Sequence, residues 1–191
     1  FEYLNDKFLD KKIILTNDWQ IIDLIPVYTI HNVFYGHKNL NYRKSEKELE
    51  YYIAGNLILG KDKLSIINDF KFAQETFIKR ENKAVLNFYK PPFVNKFDLN
   101  RINIVEGVLY AHYVEKIENI KILNPSKTDF TDRFFNYLGL KIDKILKDNL
   151  HNKFKYDLII VNKNLLEENN SIIAFKNIIL ETKNYIIYEK K

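Results

Sequence analysis

Apolar and polar positions change their period along the chain, and each change marks an expected element. Leu64 to Ile67 is a short apolar run that reads as a strand, Asn68 follows as an N-cap, and Phe70, Ala73 and Phe77 then recur at helical spacing. Lys83 to Phe88 (KAVLNF) offers another strand, so Lys63 to Tyr89 predicts a strand–helix–strand unit. Pro91 and Pro92 close it, since neither can donate to a sheet ladder.

A second unit lies near the carboxyl terminus. Phe135, Leu138, Ile142 and Ile145 form an apolar stripe. Asp129 or Thr131 is the candidate cap, and Lys141, Lys144 and Lys147 load the half where cations suit the helix dipole. Tyr156 to Val161 (YDLIIV) is a continuous apolar run, the pattern of a parallel strand covered on both faces. Ser171 to Lys176 reads as helix, and Ile178 to Leu180 and Tyr185 to Tyr188 as further strands. Helices alternating with buried strands predict a single α/β domain over residues 1–191 with a mainly parallel sheet.

Composition narrows this picture without changing it. An apolar share of 46% argues against disorder, and Pro 4 with Gly 5 leaves little room for a flexible linker. With no cysteine, disulfides, thiolate zinc sites and cysteine nucleophiles are excluded together. The absence of methionine and the abundance of Lys, Asn, Ile, Tyr and Phe suggest a coding sequence under A+T pressure, as in organelle or reduced bacterial genomes. A formal net charge of +5 favours an acidic partner, although the lysines are spread along the chain. Apolar runs such as Leu57 to Leu59 fall far short of the roughly 20 residues that cross a bilayer, so no membrane span is expected.

Three constellations are candidates for chemistry. Asp157 at the start of YDLIIV, with Glu181 and Lys183 in LETKNY, has the order of a PD-(D/E)xK nuclease, in which two carboxylates hold Mg²⁺ and the lysine helps activate water. The competing reading is strand-end surface charge. NDWQ, IPVY and TIHN between Asn17 and Asn32 resemble fragments of glycogen and starch synthases, whose nucleotide-sugar loop does not fit into this chain. His31, His37, His112 and His151 lack a spacing that would put two imidazoles on one metal, so each reads as a surface or packing residue.

The segment Ile30 to Tyr42 (IHNVFYGHKNLNY) is the most distinctive. Gly36 permits a sharp turn, His37 and Lys38 can donate to phosphate or ribose oxygens, and Tyr35, Asn39 and Tyr42 can stack on or bond with unpaired RNA. The alternative is that Phe34 and Tyr35 enter the core and His37 caps a helix.

Read in order, these segments resemble the small-subunit ribosomal protein two family of bacteria and organelles. Asp23, Leu24 and Ile25 are followed by Phe34-Tyr35-Gly36-His37 for the family's H-F-G-H, Tyr52-Ile53-Ala54-Gly55 for Y-I-x-G, and Ile66-Ile67-Asn68 with Lys71 for I-I-D and K-T. KAVLNFYK, Gly107 to Tyr110 and YDLIIVNKN then resemble its G-K-I-L-F-V-G-T-K strand, G-G turn and P-D-L-I-I-V strand, and IIAFKNI its A-I-x-E-A helix. Phe34 replaces the first histidine, and the arginine after Y-I-x-G, the tryptophan before the G-G turn and the D-T-N and D-Y-P segments are absent.

The resemblance implies a flavodoxin-like, mainly parallel sheet with helices on both faces. Residues 1–21 would be an N-terminal extension and 115–149 the remnant of a shortened coiled-coil protrusion. It implies a structural, non-catalytic role on an organellar, mitochondrial ribosome, with the cytoplasm of an A+T-rich bacterium as the alternative. Small-subunit rRNA and neighbouring ribosomal proteins are the implied partners, with no cofactor and no small-molecule substrate. The implied RNA contacts are Tyr35, Gly36, His37, Lys38, Asn39, Tyr42 and Arg43, then Tyr52, Lys61, Lys63, Lys71, Lys90 and Arg101.

Overall fold

The computed structural model describes residues 1–22, 24–35, 45–81, 106, 109, 113, 132–149, 153–165 and 177–190. The chain divides into two compact units, Phe1–Asp62 with Ile142–Lys191, and Lys63–Lys141.

The first unit is built on five strands: β1 (Ile13–Thr16), β2 (Asn32–Val33), β3 (Leu158–Asn162), β4 (Ile178–Glu181) and β5 (Tyr185–Glu189), in the order β2-β1-β3-β5-β4. Strand β1 is parallel to β2 on one side (Ile14 opposite Val33) and to β3 on the other (Ile14 opposite Leu158). Strand β5 runs antiparallel to both β3 and β4. The sheet is therefore mixed, not mainly parallel. The cause is local: only Thr182 to Asn184 join β4 to β5, and a parallel pair needs a crossover of a dozen residues or more.

Period-2 alternation along the strands separates two apolar layers. Ile14, Val33, Leu158, Ile160 and Ile187 face Leu4 of α1 (Glu2–Lys7), Phe8, Ile22 of α2 (Trp19–Ile22) and Ile25 of α3 (Ile25–Tyr28). Leu15, Phe34, Ile159 and Val161 face Ala54 and Ile58 of α4 (Ser45–Ile58). Helices thus cover both faces, and Leu158 to Val161 are buried throughout, as the continuous apolar run predicts. Residues 1–21, set aside as an extension by the family resemblance, supply the strand on which β2 and β3 both pair.

Two glycines shape α4. A Cβ on Gly55 would meet Tyr35 Cε1 at 2.6 Å, so the missing side chain is what lets the tyrosine ring lie on the helix. Gly60, with φ 89°, ends the helix in the left-handed conformation: its N–H donates to Leu57 O at 3.0 Å and that of Lys61 to Asn56 O at 2.9 Å. This pair of bonds is a Schellman cap.

In the second unit, α5 (Lys63–Glu81) begins at the run Leu64 to Ile67, which is therefore helix and not strand. Ile66 and Phe70, one helical turn apart, are both fully buried, and a run this short fits either period. Asn68, expected as a cap, lies inside the helix. Phe70 meets the Phe134 ring edge-on at 5.2 Å, and Tyr113 packs on Phe134 and Tyr137. The expected stripe forms α6 (Asp132–Lys147), which runs across the division between the units. The expected strand Lys83 to Phe88, helix Ser171 to Lys176 and caps Asp129 and Thr131 lie outside the described residues.

Candidate functional site at the ends of the parallel strands

In an open α/β sheet the position of interest is where neighbouring connections leave in opposite directions, at the strand carboxyl ends. Here that position lies between β1 and β3. Past Thr16 the β1–β3 ladder is continued by a side chain: Asn162 N–H donates to Asn17 Oδ1 at 2.7 Å, and Asn17 Nδ2 donates to Asn162 O at 3.1 Å. Next to it Asp18 is 1% exposed. Its Oδ2 accepts from Asn162 Nδ2 at 2.8 Å and from Tyr185 OH at 2.7 Å, while its N–H donates to Thr16 Oγ1 at 3.0 Å. Strands β1, β3 and β5 are joined through one buried carboxylate.

This setting shifts the tyrosine. Burial, then the hydrogen bond to Asp18 and its negative charge, push the Tyr185 hydroxyl up to about 12, with the Asn162 contact opposing them. At the rim, Lys163 Nζ donates to Glu181 Oε1 at 2.6 Å and to Thr182 O at 2.8 Å, tying the turn after β3 to the β4–β5 hairpin. Asn17, Asp18, Asn162 and Tyr185 are bonded to one another, as are Lys163 and Glu181, an arrangement that fixes strands.

Asp157, Glu181 and Lys183 are not brought together. Asp157 stands at the opposite end of β3, where its Oδ2 accepts from Ile13 N–H at 2.7 Å. Asp157 is level with Lys190 and Glu181 with Ile186, four residues apart along β5. Adding two interstrand spacings leaves the backbones roughly 16 Å apart, too far for two carboxylates to share one cation. Lys183 is exposed in the hairpin turn. Among the described residues no group of three or more His, Asp or Glu is placed to hold a metal ion.

Of the thirteen expected RNA contacts, five lie among the described residues. Tyr35 follows β2, half-buried, with its ring 5.9 Å from that of Tyr52. Tyr52 is a core residue at 4% exposure, because its position on α4 faces inward. Phe34 is fully buried among Tyr51, Phe154 and Tyr156, the core alternative for this segment. Lys61 and Lys63 are half-buried and Lys71 is exposed on α5. Gly36, His37, Lys38, Asn39, Tyr42, Arg43, Lys90 and Arg101 lie outside the described residues, as do His112 and His151. His31 is a packing histidine: Lys12 N–H donates to its Nδ1 at 3.3 Å, so Nε2 carries the proton and donates to Leu4 O at 3.3 Å.

The residues that sequence reasoning missed are Asn17, Asp18, Asn162 and Tyr185. The only local signal was a polar triplet directly after the apolar run of each strand, Thr16-Asn17-Asp18 and Asn162-Lys163-Asn164. Comparison with family models, with curated proteins and with solved structures finds no match to this chain. No helix among the described residues is long and apolar enough to cross a membrane.

Proposed function

We propose that the chain is a non-catalytic RNA-binding constituent of the small ribosomal subunit in a mitochondrion, contacting rRNA and neighbouring ribosomal proteins. The observation that carries the reading is that β1 lies between β2, which leads into Phe34-Tyr35-Gly36-His37, and β3 (Leu158–Asn162), which lies within YDLIIVNKN. Two segments of the family resemblance thus flank a single strand in parallel, and we read β2-β1-β3 as the first half of a flavodoxin-like sheet.

Two supports are independent of the resemblance. The net charge of +5 suits a polyphosphate partner, and the polar groups at the strand carboxyl ends are engaged with one another. The weight falls on these segments because Tyr52 to Gly55 and Ile66 to Asn68 are helical in this chain, where the I-I-D match implies a strand end.

Sedimentation of native extract through sucrose, with and without EDTA, tests the proposal. The chain should travel with the small subunit in both conditions at moderate salt. If it remains at the top of the gradient, the ribosomal assignment fails.

A further inference from the structure

The two ends of the sheet differ in charge. At the amino ends, β1 and β3 are fastened side by side: Asp157 N–H donates to Ile13 O at 2.8 Å, and Ile13 N–H donates to the Asp157 carboxylate. Antiparallel β5 brings its carboxyl end to the same place, where Lys190 N–H donates to Asp157 O at 2.9 Å. Lys11 and Lys12 lead into β1, Lys153 and Lys155 lead into β3, and Lys190 follows β5. All are exposed except Lys12, which is half-buried.

Asp10, Asp157 and Glu189 are the carboxylates beside them, and Asp157 is turned onto the Ile13 amide. At the opposite end Lys163 and Lys183 are matched by Asp18 and Glu181, with Lys163 closed on Glu181. Among the described residues of the sheet ends, the positive excess is therefore at the amino end.

Two of these lysines are also held in place. Lys190 Nζ lies 4.1 Å from the centre of the Tyr156 ring and 3.4 Å from Phe154 O, and Lys12 Nζ lies 5.8 Å from the centre of the Phe8 ring. An ammonium fixed on an aromatic face loses less freedom when it meets an anion. Three strand ends at about 4.8 Å spacing put the lysines across roughly 10 Å, a width that a duplex, with one charge per ~1.7 Å of axis, fills with several phosphates.

We propose that the amino end of the sheet, through Lys11, Lys12, Lys153, Lys155 and Lys190, is a docking surface for the phosphate backbone of RNA. The proposal rests on the RNA-binding reading above and adds a face to it. Contacts of this kind position the nucleic acid and carry no base sequence.

Fluorescence anisotropy of the full chain with a labelled RNA hairpin, and with the DNA hairpin of the same sequence, tests it across a salt series. K153Q/K155Q should weaken RNA binding about tenfold at low salt and reduce the slope of log affinity against log salt by roughly 2. K183Q, at the opposite end, should leave both unchanged. Adding K190Q should lower the slope by about one more, with circular dichroism confirming that each variant is folded. If the natural chain binds RNA and K153Q/K155Q changes its affinity no more than K183Q does, the docking surface is overturned while the RNA-binding reading stands. If the natural chain binds neither hairpin, or only the DNA, the RNA-binding reading itself falls.

Discussion

The parallel and antiparallel parts of the sheet share strand β3 and are built on different terms. On the parallel side, β1 and β3 are partners 144 residues apart, covered by helices on both faces, and Ile159 is 1% exposed. On the antiparallel side, β4 and β5 are joined by a three-residue turn, and Ile178 is 51% exposed. The parallel side holds by burial, the hairpin by local pairing and by three polar groups at its root. The β3–β5 ladder, from Leu158 opposite Glu189 to Asn162 opposite Tyr185, joins the two, and Asp18, Asn162 and Tyr185 are the polar groups that tie its end to β1.

The largest effect should come from the parallel side. Ile159→Ala should cost about 2–5 kcal/mol in denaturant unfolding, because a packed side chain is removed from a layer with little room to collapse. Equal costs for Ile159→Ala and Ile178→Ala would end the distinction. Asp157→Ala comes next, at about 1–3 kcal/mol, since it takes away the acceptor for Ile13 N–H. A nuclease site would instead predict an intact fold and lost cleavage, so the same variant separates the two roles of this carboxylate.

Tyr185→Phe probes the join. Loss of the hydroxyl bond to a buried carboxylate should cost about 1–2 kcal/mol near neutral pH. The hydroxyl is raised from 10.0 to about 12, so the folded state favours its protonated form. Its contribution is complete below pH 10 and is lost as pH rises towards about 12. Stability measured across that window should fall in the natural chain more steeply than in Tyr185→Phe. Lys163→Ala should cost less than about 1 kcal/mol, because its partner Glu181 is 55% exposed and water screens the pair. Smallest of all is Ile178→Ala, within about 0.5 kcal/mol.

These differences also explain what the sequence made legible. Strand β3 and helix α6 follow from their own residues, a continuous apolar run and a helical stripe, since each pattern is local. Leu64 to Ile67 was ambiguous because three apolar positions in four do not distinguish a strand from the first turn of a buried helix. The direction of β4 and β5 depended on a turn only three residues long, which the period of the strands does not reveal. The Asn17, Asp18, Asn162 and Tyr185 network was hidden for a different reason. Its bonds join residues between 23 and 167 positions apart, and no window of sequence contains them.

The long separation between β1 and β3 also sets an order of events during synthesis. Once made, Ile13–Thr16 can pair at once with Asn32–Val33, yet its other edge waits until Leu158–Asn162 has been made. At about 5–20 residues per second, that wait lasts on the order of ten seconds. Throughout it, one side of an apolar strand offers open backbone donors and acceptors, the template on which chains mispair. A nascent chain stalled before Leu158 would therefore depend on chaperones, and emergence of Leu158–Asn162 would be the step that completes the β1–β3 pair.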